Sequence, residues 1–309
     1  MSLRPRRHHT PFDKGVYEVG PLLRPLGAAD AVFEIDEDFR VFREEKIRSL
    51  TTLPTRYVCE ARLSPEQRSR AVRFFVERLL HDEASCFEWS PGRRILQARL
   101  TGETLRFDEA WNLVEFSTST SVRTSDALVA LALQIPEDFS IWTCNESDDW
   151  MAYVSVCLPN HWAPEEKIGR NFFAVHEPVA ESAPMLRSSR QLVQGMIHRG
   201  PFVRFAWGVA TDTRLNHHPL EPVGRRFDPS RPELYVRVER QTLHGFPEEN
   251  FSFFTIRSSF ENVADLAQTP ELKAALKNAL LSMTPASLVY KGLSESLDSI
   301  LNWLDDLSP

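Results

Sequence analysis

The sequence predicts an α+β protein: an antiparallel sheet with helices on one face. Three observations predict it. Between Ala127 and Ser259, apolar stretches of strand length are separated by turns and by one helical connection. Outside that region apolar residues recur at helical spacing, in "SPEQRSRAVRFFVERLL" and again after Pro270. The chain has 309 residues and is 42% hydrophobic, enough for one large core or two smaller ones. Residues 1–120 read as an N-terminal α/β extension packed on the core, 121–262 as the core itself, and 263–309 as C-terminal helices.

"DEDFRVFREEKIRSL" (Asp36–Leu50) places Phe39, Phe42, Ile47 and Leu50 near helical spacing. "SPEQRSRAVRFFVERLL" (Ser64–Leu80) is the stronger helix. Ser64 caps it, Pro65 fits its first turn and Gln67 completes a capping box. Val72, Phe75, Val76, Leu79 and Leu80 then form one apolar stripe. "ALVALALQI", from Ala127, and "DFSIWTC" read as strands. "NESDD" is a turn, and "WMAYVSVCL" returns as the second strand of a hairpin. A polar, proline-punctuated connection runs from Pro159 to Glu181. "SAPMLRSSRQLVQGMIHRG" reads as one helix that stops at Gly200. "PFVRFAWGVA", "LYVRVERQTL" and "NFSFFTIRSS" follow as three strands. Two amphipathic helices, Pro270–Met283 and Pro285–Leu307 behind Thr284, close the chain. Two strands, a helical connection and three strands is the order of a PAS-type domain. Such a domain holds a ligand between a five-stranded antiparallel sheet and its helices, although other α+β domains share the order.

Charge and cysteine content narrow the function. Net charge is −7, so no basic field exists to hold a nucleic-acid backbone. The basic cluster "RPRRHH" (Arg4–His9) reads as a frayed terminus. Cys59, Cys86, Cys144 and Cys157 show no CxxC spacing, which argues against a disulfide framework or a structural zinc site. No apolar run reaches the roughly 20 residues of a membrane helix. The N-terminus lacks the apolar core of a signal peptide. A soluble, cytoplasmic protein is expected. No flavin, iron–sulfur or dinucleotide signature is visible, so any electron supply needs a partner.

One strand is unusual. In "ELYVRVERQTLHGFP" (Glu233–Pro247) alternation puts Leu234, Val236, Val238, Arg240 and Thr242 on one face. The other face holds Tyr235, Arg237, Glu239, Gln241 and Leu243. A face that is polar at its centre and apolar at its ends suits the lining of a ligand pocket. A structural ion pair or a charged edge strand is the plainer reading.

"CLPNHWAPEEKIGRNFFAVHEPV" (Cys157–Val179), "VRFAWGV" (Val203–Val209) and "LYVRVERQTLHGFP" (Leu234–Pro247) together resemble the haem-dependent oxidative N-demethylase alpha-subunit family. "ALALQIPEDF" (Ala130–Phe139) fits as well, and the anchors fall in the same order over about half the chain. The resemblance implies a PAS-like, haem b-binding subunit that oxidises a small amine with O₂. Its electrons would come from a reductase partner carrying FMN and a 2Fe-2S cluster and using NADPH. The chain departs from the family pattern at Asn160, where a Ser is expected, and at His161, Ala180, Ala206 and "HGFP". These departures leave open a changed substrate, a non-catalytic haem sensor or carrier, or a ligand-free interaction protein.

His176 matches the family's His-x-Pro-Val position and is the first choice as metal ligand, since neutral imidazole is a common axial ligand of haem iron. Cys157 is the rival, as a thiolate ligand or else a small buried hydrophobe. His161 is a third candidate. The adjacent His217 and His218 read as solvated loop residues. Lys167, Arg170 and Arg204 are candidates to pair with haem propionates, or are surface charges. Trp207 and Trp162 pack in either reading and would suit a porphyrin face. Glu239, with Arg237 beside it, is the candidate catalytic pair that holds the amine cation and manages its proton.

Overall fold

A computed structural model describes residues 3–221 and 226–307. The N-terminal region contributes β1 (Arg24–Pro25), α1 (Phe39–Thr52), α2 (Pro54–Tyr57) and β2 (Val58–Glu60). α1 buries Phe39, Phe42 and Leu50, the residues at helical spacing. α3 (Pro65–Asp82) carries the capping box. Ser64 Oγ accepts from the Gln67 N–H, and the Gln67 side chain accepts from the Ser64 N–H. β3 (Phe87–Ser90), β4 (Ile95–Ala98), β5 (Glu103–Phe107) and β6 (Leu113–Ser117) then form an antiparallel sheet in sequential order. These strands are four or five residues long, too short for alternation to announce them.

α4 (Ala127–Ala132) stands where "ALVALALQI" reads as a strand. The Asp126 carboxylate accepts from the Leu128 N–H and caps the helix start. All six residues are buried. A segment that is apolar all round shows no period to separate helix from strand.

β7 (Asp138–Cys144) and β8 (Asp149–Ser155) form the expected hairpin. A 3₁₀ turn at Pro164–Glu166, α5 (Phe172–His176), α6 (Ala183–Leu186) and α7 (Ser189–His198) make up the connection. The single helix expected after Ser182 is two, broken at Arg187 and Ser188. Serine side chains compete for backbone hydrogen bonds and weaken helix interiors. β9 (Phe202–Ala210), β10 (Tyr235–Phe246) and β11 (Phe251–Asn262) follow, then α8 (Val263–Leu266), α9 (Pro270–Leu281), α10 (Pro285–Tyr290) and α11 (Leu297–Asp306). The long last helix expected from Pro285 is interrupted at Gly292, whose φ of 69° ends the first piece.

The main sheet has the order β1-β9-β10-β11-β7-β8-β2, and every neighbouring pair is antiparallel. The expectation of five strands is therefore corrected to seven, with a separate four-stranded sheet. The expected strands β7 to β11 are the middle five, and short β1 and β2 extend the two edges.

Helices cover both faces of the sheet rather than one. Val236 and Val238 of β10 pack with Leu276 and Leu280 of α9 and Ile300 and Leu304 of α11. Further along that face, Phe139 and Phe253 pack with Phe75 of α3. On the other face Val193, Met196 and Ile197 of α7 meet Leu243 and Trp142.

The basic N-terminal stretch is not frayed. Arg4 pairs with Glu83, Arg6 with Asp38 at 3.2 Å and Glu261 at 3.7 Å, and Arg7 with Glu34 at 3.2 Å. Acidic side chains from distant parts of the chain converge on it, a gathering that local sequence does not display. Among the described residues no helix is long and apolar enough to cross a membrane.

Candidate functional site

The polar face of β10 is the floor of a cavity of about 530 Å³. Arg237, Glu239, Gln241 and Leu243 line it, as alternation predicts. Antiparallel register sets Gly208 opposite Arg237, Ala206 opposite Glu239, and Arg204 opposite Gln241. Small Ala206 lines the cavity there, and the Lys291 side chain packs over Gly208. β11 adds Phe254 and Ile256, and β7 adds Ser140 and Trp142. The roof is the connection: Trp162, Lys167, Phe172, Val175, His176, Leu192 and Met196. Residues 16–23 close one flank.

His176 sits at the end of α5. Asn171 caps this short helix by accepting the Ala174 N–H, and the Phe172 N–H donates to Asp149 Oδ2 at 2.7 Å. The His176 ring stacks on Phe172, one turn earlier, with centroids 4.0 Å apart. His176 Nδ1 lies 2.9 Å from the Phe172 carbonyl oxygen. A carbonyl only accepts, so Nδ1 carries the proton and Nε2 keeps its lone pair. Burial pushes the His176 pKa down to about 4, and Arg204 and Lys167 push the same way. The ring is therefore neutral at pH 7 with one nitrogen ready to bind metal. Metal-ligating histidines almost always donate their other ring N–H to an acceptor in this way.

Arg237 is buried and held on several sides. Nη2 donates to the Leu158 carbonyl at 3.2 Å and to Ser258 Oγ at 3.1 Å. Nη1 donates to His217 Nδ1 at 3.1 Å. Nε lies 3.5 Å from Glu239 Oε1. Burial lowers the Arg237 pKa and Glu239 raises it, yet a guanidinium starts so high that it stays charged. Glu239 also accepts from Asn160 Nδ2 at 3.2 Å and from Gln241 Nε2 at 3.0 Å. Arg204 is half-buried, its buried Nε has no partner among the described residues, and Glu239 is its chief electrostatic neighbour.

The remaining candidates fall in different places. Lys167 lines the cavity and donates to the Val175 carbonyl at 3.4 Å. Arg170 is exposed and outside the lining. Trp207 is at the cavity's edge, but its ring packs with Phe12 and Tyr17 at 5.5 and 5.6 Å. Cys157 lies in an apolar cluster with Tyr57, Leu133 and Phe260, outside the lining, and burial pushes its thiol pKa well up. His161 lines the cavity in a left-handed conformation, φ 63°.

His217 and His218 are not solvated. Both are buried. They do point to different partners: His217 Nε2 lies 2.9 Å from Asp212, and His218 Nε2 lies 3.0 Å from Glu165. The backbone around His217 pairs with Pro159–His161, which draws this loop under the sheet's polar face. A second, polar chamber of about 110 Å³ adjoins the cavity there and shares Asn160, His161 and Arg237 with it. The sequence marks Asn160 only as a departure from a family pattern, and nothing local marks Asp212.

Haem b needs one side-chain ligand, apolar walls and cations for its two propionates. His176 supplies a free ring nitrogen. Phe172, Leu192, Met196 and Phe254 supply apolar walls, and Lys167 and Arg204 supply cations. The volume is in the ~300–1,000 Å³ range of ligand sites. The residues present fit the group.

No curated protein matches the chain. A family model described as "Haem-dependent oxidative N-demethylase, alpha subunit-like" matches residues 24–301. That match spans most of the length and includes the strands and helices that form the floor and roof of the cavity, so the chain belongs to the haem-dependent oxidative N-demethylase, alpha subunit-like family.

Proposed function

We propose that the chain is a PAS-like, haem b-binding subunit that oxidises the N-methyl group of a small amine. The observation that carries this reading is that His176 and Glu239 line one cavity from opposite walls, the first with a bare ring nitrogen, the second with a negative charge. The middle strands, in the order β8-β7-β11-β10-β9, and the helices of the connection support the PAS-like reading.

When bound, haem supplies O₂ activation. The overall reaction would consume O₂, two protons and two electrons and give the demethylated amine, formaldehyde and water. The electrons would come from a partner, which the family's description as an alpha subunit supports; that this partner is a reductase with FMN, a 2Fe-2S cluster and NADPH is what the sequence resemblance implies. The chain's own residues do the rest. His176 would ligate through Nε2, and Lys167 and Arg204 would neutralise propionates, whereas exposed Arg170 has no part in the cavity. Glu239 accepts the N–H of the ammonium form and takes its proton before the carbon is oxidised. Arg237, 3.5 Å away, holds Glu239 in place.

A second reading, a non-catalytic haem sensor or carrier, is favoured by one contact. Asn160, where the family pattern leads one to expect Ser, already donates to Glu239. Protein expressed with a haem precursor is expected to show a Soret band, and to consume O₂ with added reductant only when a small amine such as dimethylamine is present. A Soret band without amine-dependent O₂ uptake selects the second reading. No Soret band removes both.

A further inference from the structure

We propose that Asp212 and His217 form a positioning pair that holds Arg237, and through it Glu239, in the geometry that receives the amine. The inference rests on reading Glu239 as the amine site. Its own basis is a continuous run of contacts. Asp212 Oδ1 is 2.9 Å from His217 Nε2, and His217 Nδ1 is 3.1 Å from Arg237 Nη1. Arg237 Nε is 3.5 Å from Glu239 Oε1.

The tautomer follows from the partners. A guanidinium has no acceptor, so His217 Nδ1 must be bare and must accept. Nε2 then carries the proton and donates to the Asp212 carboxylate. Asp212 thus selects the tautomer, and the tautomer selects the rotamer in which Arg237 turns Nε toward Glu239. The His161 ring lies parallel to the His217 ring, centroids 4.8 Å apart, and the His161 N–H donates to the His217 carbonyl at 3.0 Å. The imidazole is therefore clamped in plane as well as at both nitrogens.

A fixed ring is what positioning needs. Arg237 has a long side chain with several rotamers, and ordering it costs entropy. Leu158, Ser258 and His217 together remove that freedom before any ligand arrives. Asp212 retains about a third of its side-chain exposure, whereas His217 is 2% exposed. The pair thus reaches from the rim of the small chamber to the floor of the large cavity.

Asp212→Ala is the first test, because a partly exposed carboxylate can be removed without opening the core. His217→Leu removes both ring bonds. His217→Gln is the rescue, since its amide can accept from Arg237 and donate to Asp212. Haem content, read from the Soret band, is expected to stay at the wild-type level in all three. Dimethylamine titrated against the haem spectrum is expected to bind about tenfold more weakly in Asp212→Ala and His217→Leu, the equivalent of one lost buried hydrogen bond, and His217→Gln is expected to recover most of it. Wild-type affinity in Asp212→Ala and His217→Leu overturns the proposal. If wild-type protein itself binds no dimethylamine, the amine reading falls, and a crystal structure of Asp212→Ala decides the positioning pair separately. A rotated His217 ring with Arg237 Nε turned from Glu239 upholds it, and an unmoved Arg237 overturns it.

Discussion

At the scale of the residue, His176 and Glu239 are asked to do different work, and their substitutions should separate. His176→Ala removes the free Nε2 and leaves a hole beside Phe172. Purified His176→Ala protein should lack the Soret band, and imidazole added to it should restore the band by filling that hole. Haem content unchanged without imidazole would eliminate His176 as ligand. Glu239→Gln keeps shape and loses charge. It should retain haem and bind dimethylamine more weakly by roughly 1.5–3 kcal/mol, the scale of a charge-assisted hydrogen bond. Equal affinities would reduce the Glu239–Arg237 pair to a structural one. The two residues were legible in sequence for different reasons. Alternation alone places Arg237 and Glu239 on one face, whereas His176 stands out only through its motif. Asp212 and the buried state of His217 were not legible, because a loop's burial is set by what packs over it.

At the scale of the element, α7 and β10 set the shape of the cavity's apolar end. They come very close at Gly245. A Cβ there would sit 2.1 Å from the Ile197 carbonyl oxygen and 2.5 Å from that of Met196. Both neighbours are backbone, so neither can swing aside. Gly245→Ala should therefore push α7 off β10 and cost about 1–3 kcal/mol, the usual scale of overpacking. Denaturant unfolding measures the loss. Haem affinity should fall with it, since Leu192 and Met196 of α7 line the cavity. Unchanged stability would mean that α7 docks by other contacts. A glycine gives a strand no side chain to pack, and the α7 backbone above position 245 explains why one stands there.

At the scale of the whole molecule, the sheet's other face hides a charge cluster that also affects stability. Arg240 and Arg257 are cross-strand neighbours. Two buried cations side by side need counter-charge. Asp36 accepts from Arg257 at 2.8 Å, and Glu34 lies 3.6 Å from Arg240. Glu137 lies nearby and accepts the Glu34 N–H at 2.7 Å, but its second oxygen is buried with no partner among the described residues. Burial raises its pKa from 4.5 to about 7, against the pull of Arg257. A carboxyl with a raised folded pKa gives stability that is present below its unfolded value and lost as pH rises through the folded one. Glu137 should therefore cost the folded state ~1.4 kcal/mol per pH unit between about 4.5 and 7. In Glu137→Gln that loss disappears. Unfolding free energies of the apo-protein at several pH values should show the variant gaining on wild type as pH rises through this window. Parallel curves would mean that Glu137 is ionised throughout.

The sequence by itself determined the α+β class, the capped helix α3, the hairpin of β7 and β8 and the two faces of β10. Each of these is a local matter: a cap, a turn and an alternation lie within a few residues of one another. Tertiary structure decided what local pattern could not hold. It made "ALVALALQI" a helix, because a segment buried on every side has no polar face to mark its period. It added β1 and β2, which are too short to declare themselves and exist only against β9 and β8. It gathered Arg4, Arg6 and Arg7 onto acids far along the chain. It also brought Asp212, His217 and Asn160 to the floor built by β10, since a buried polar group survives only where distant residues supply its partners.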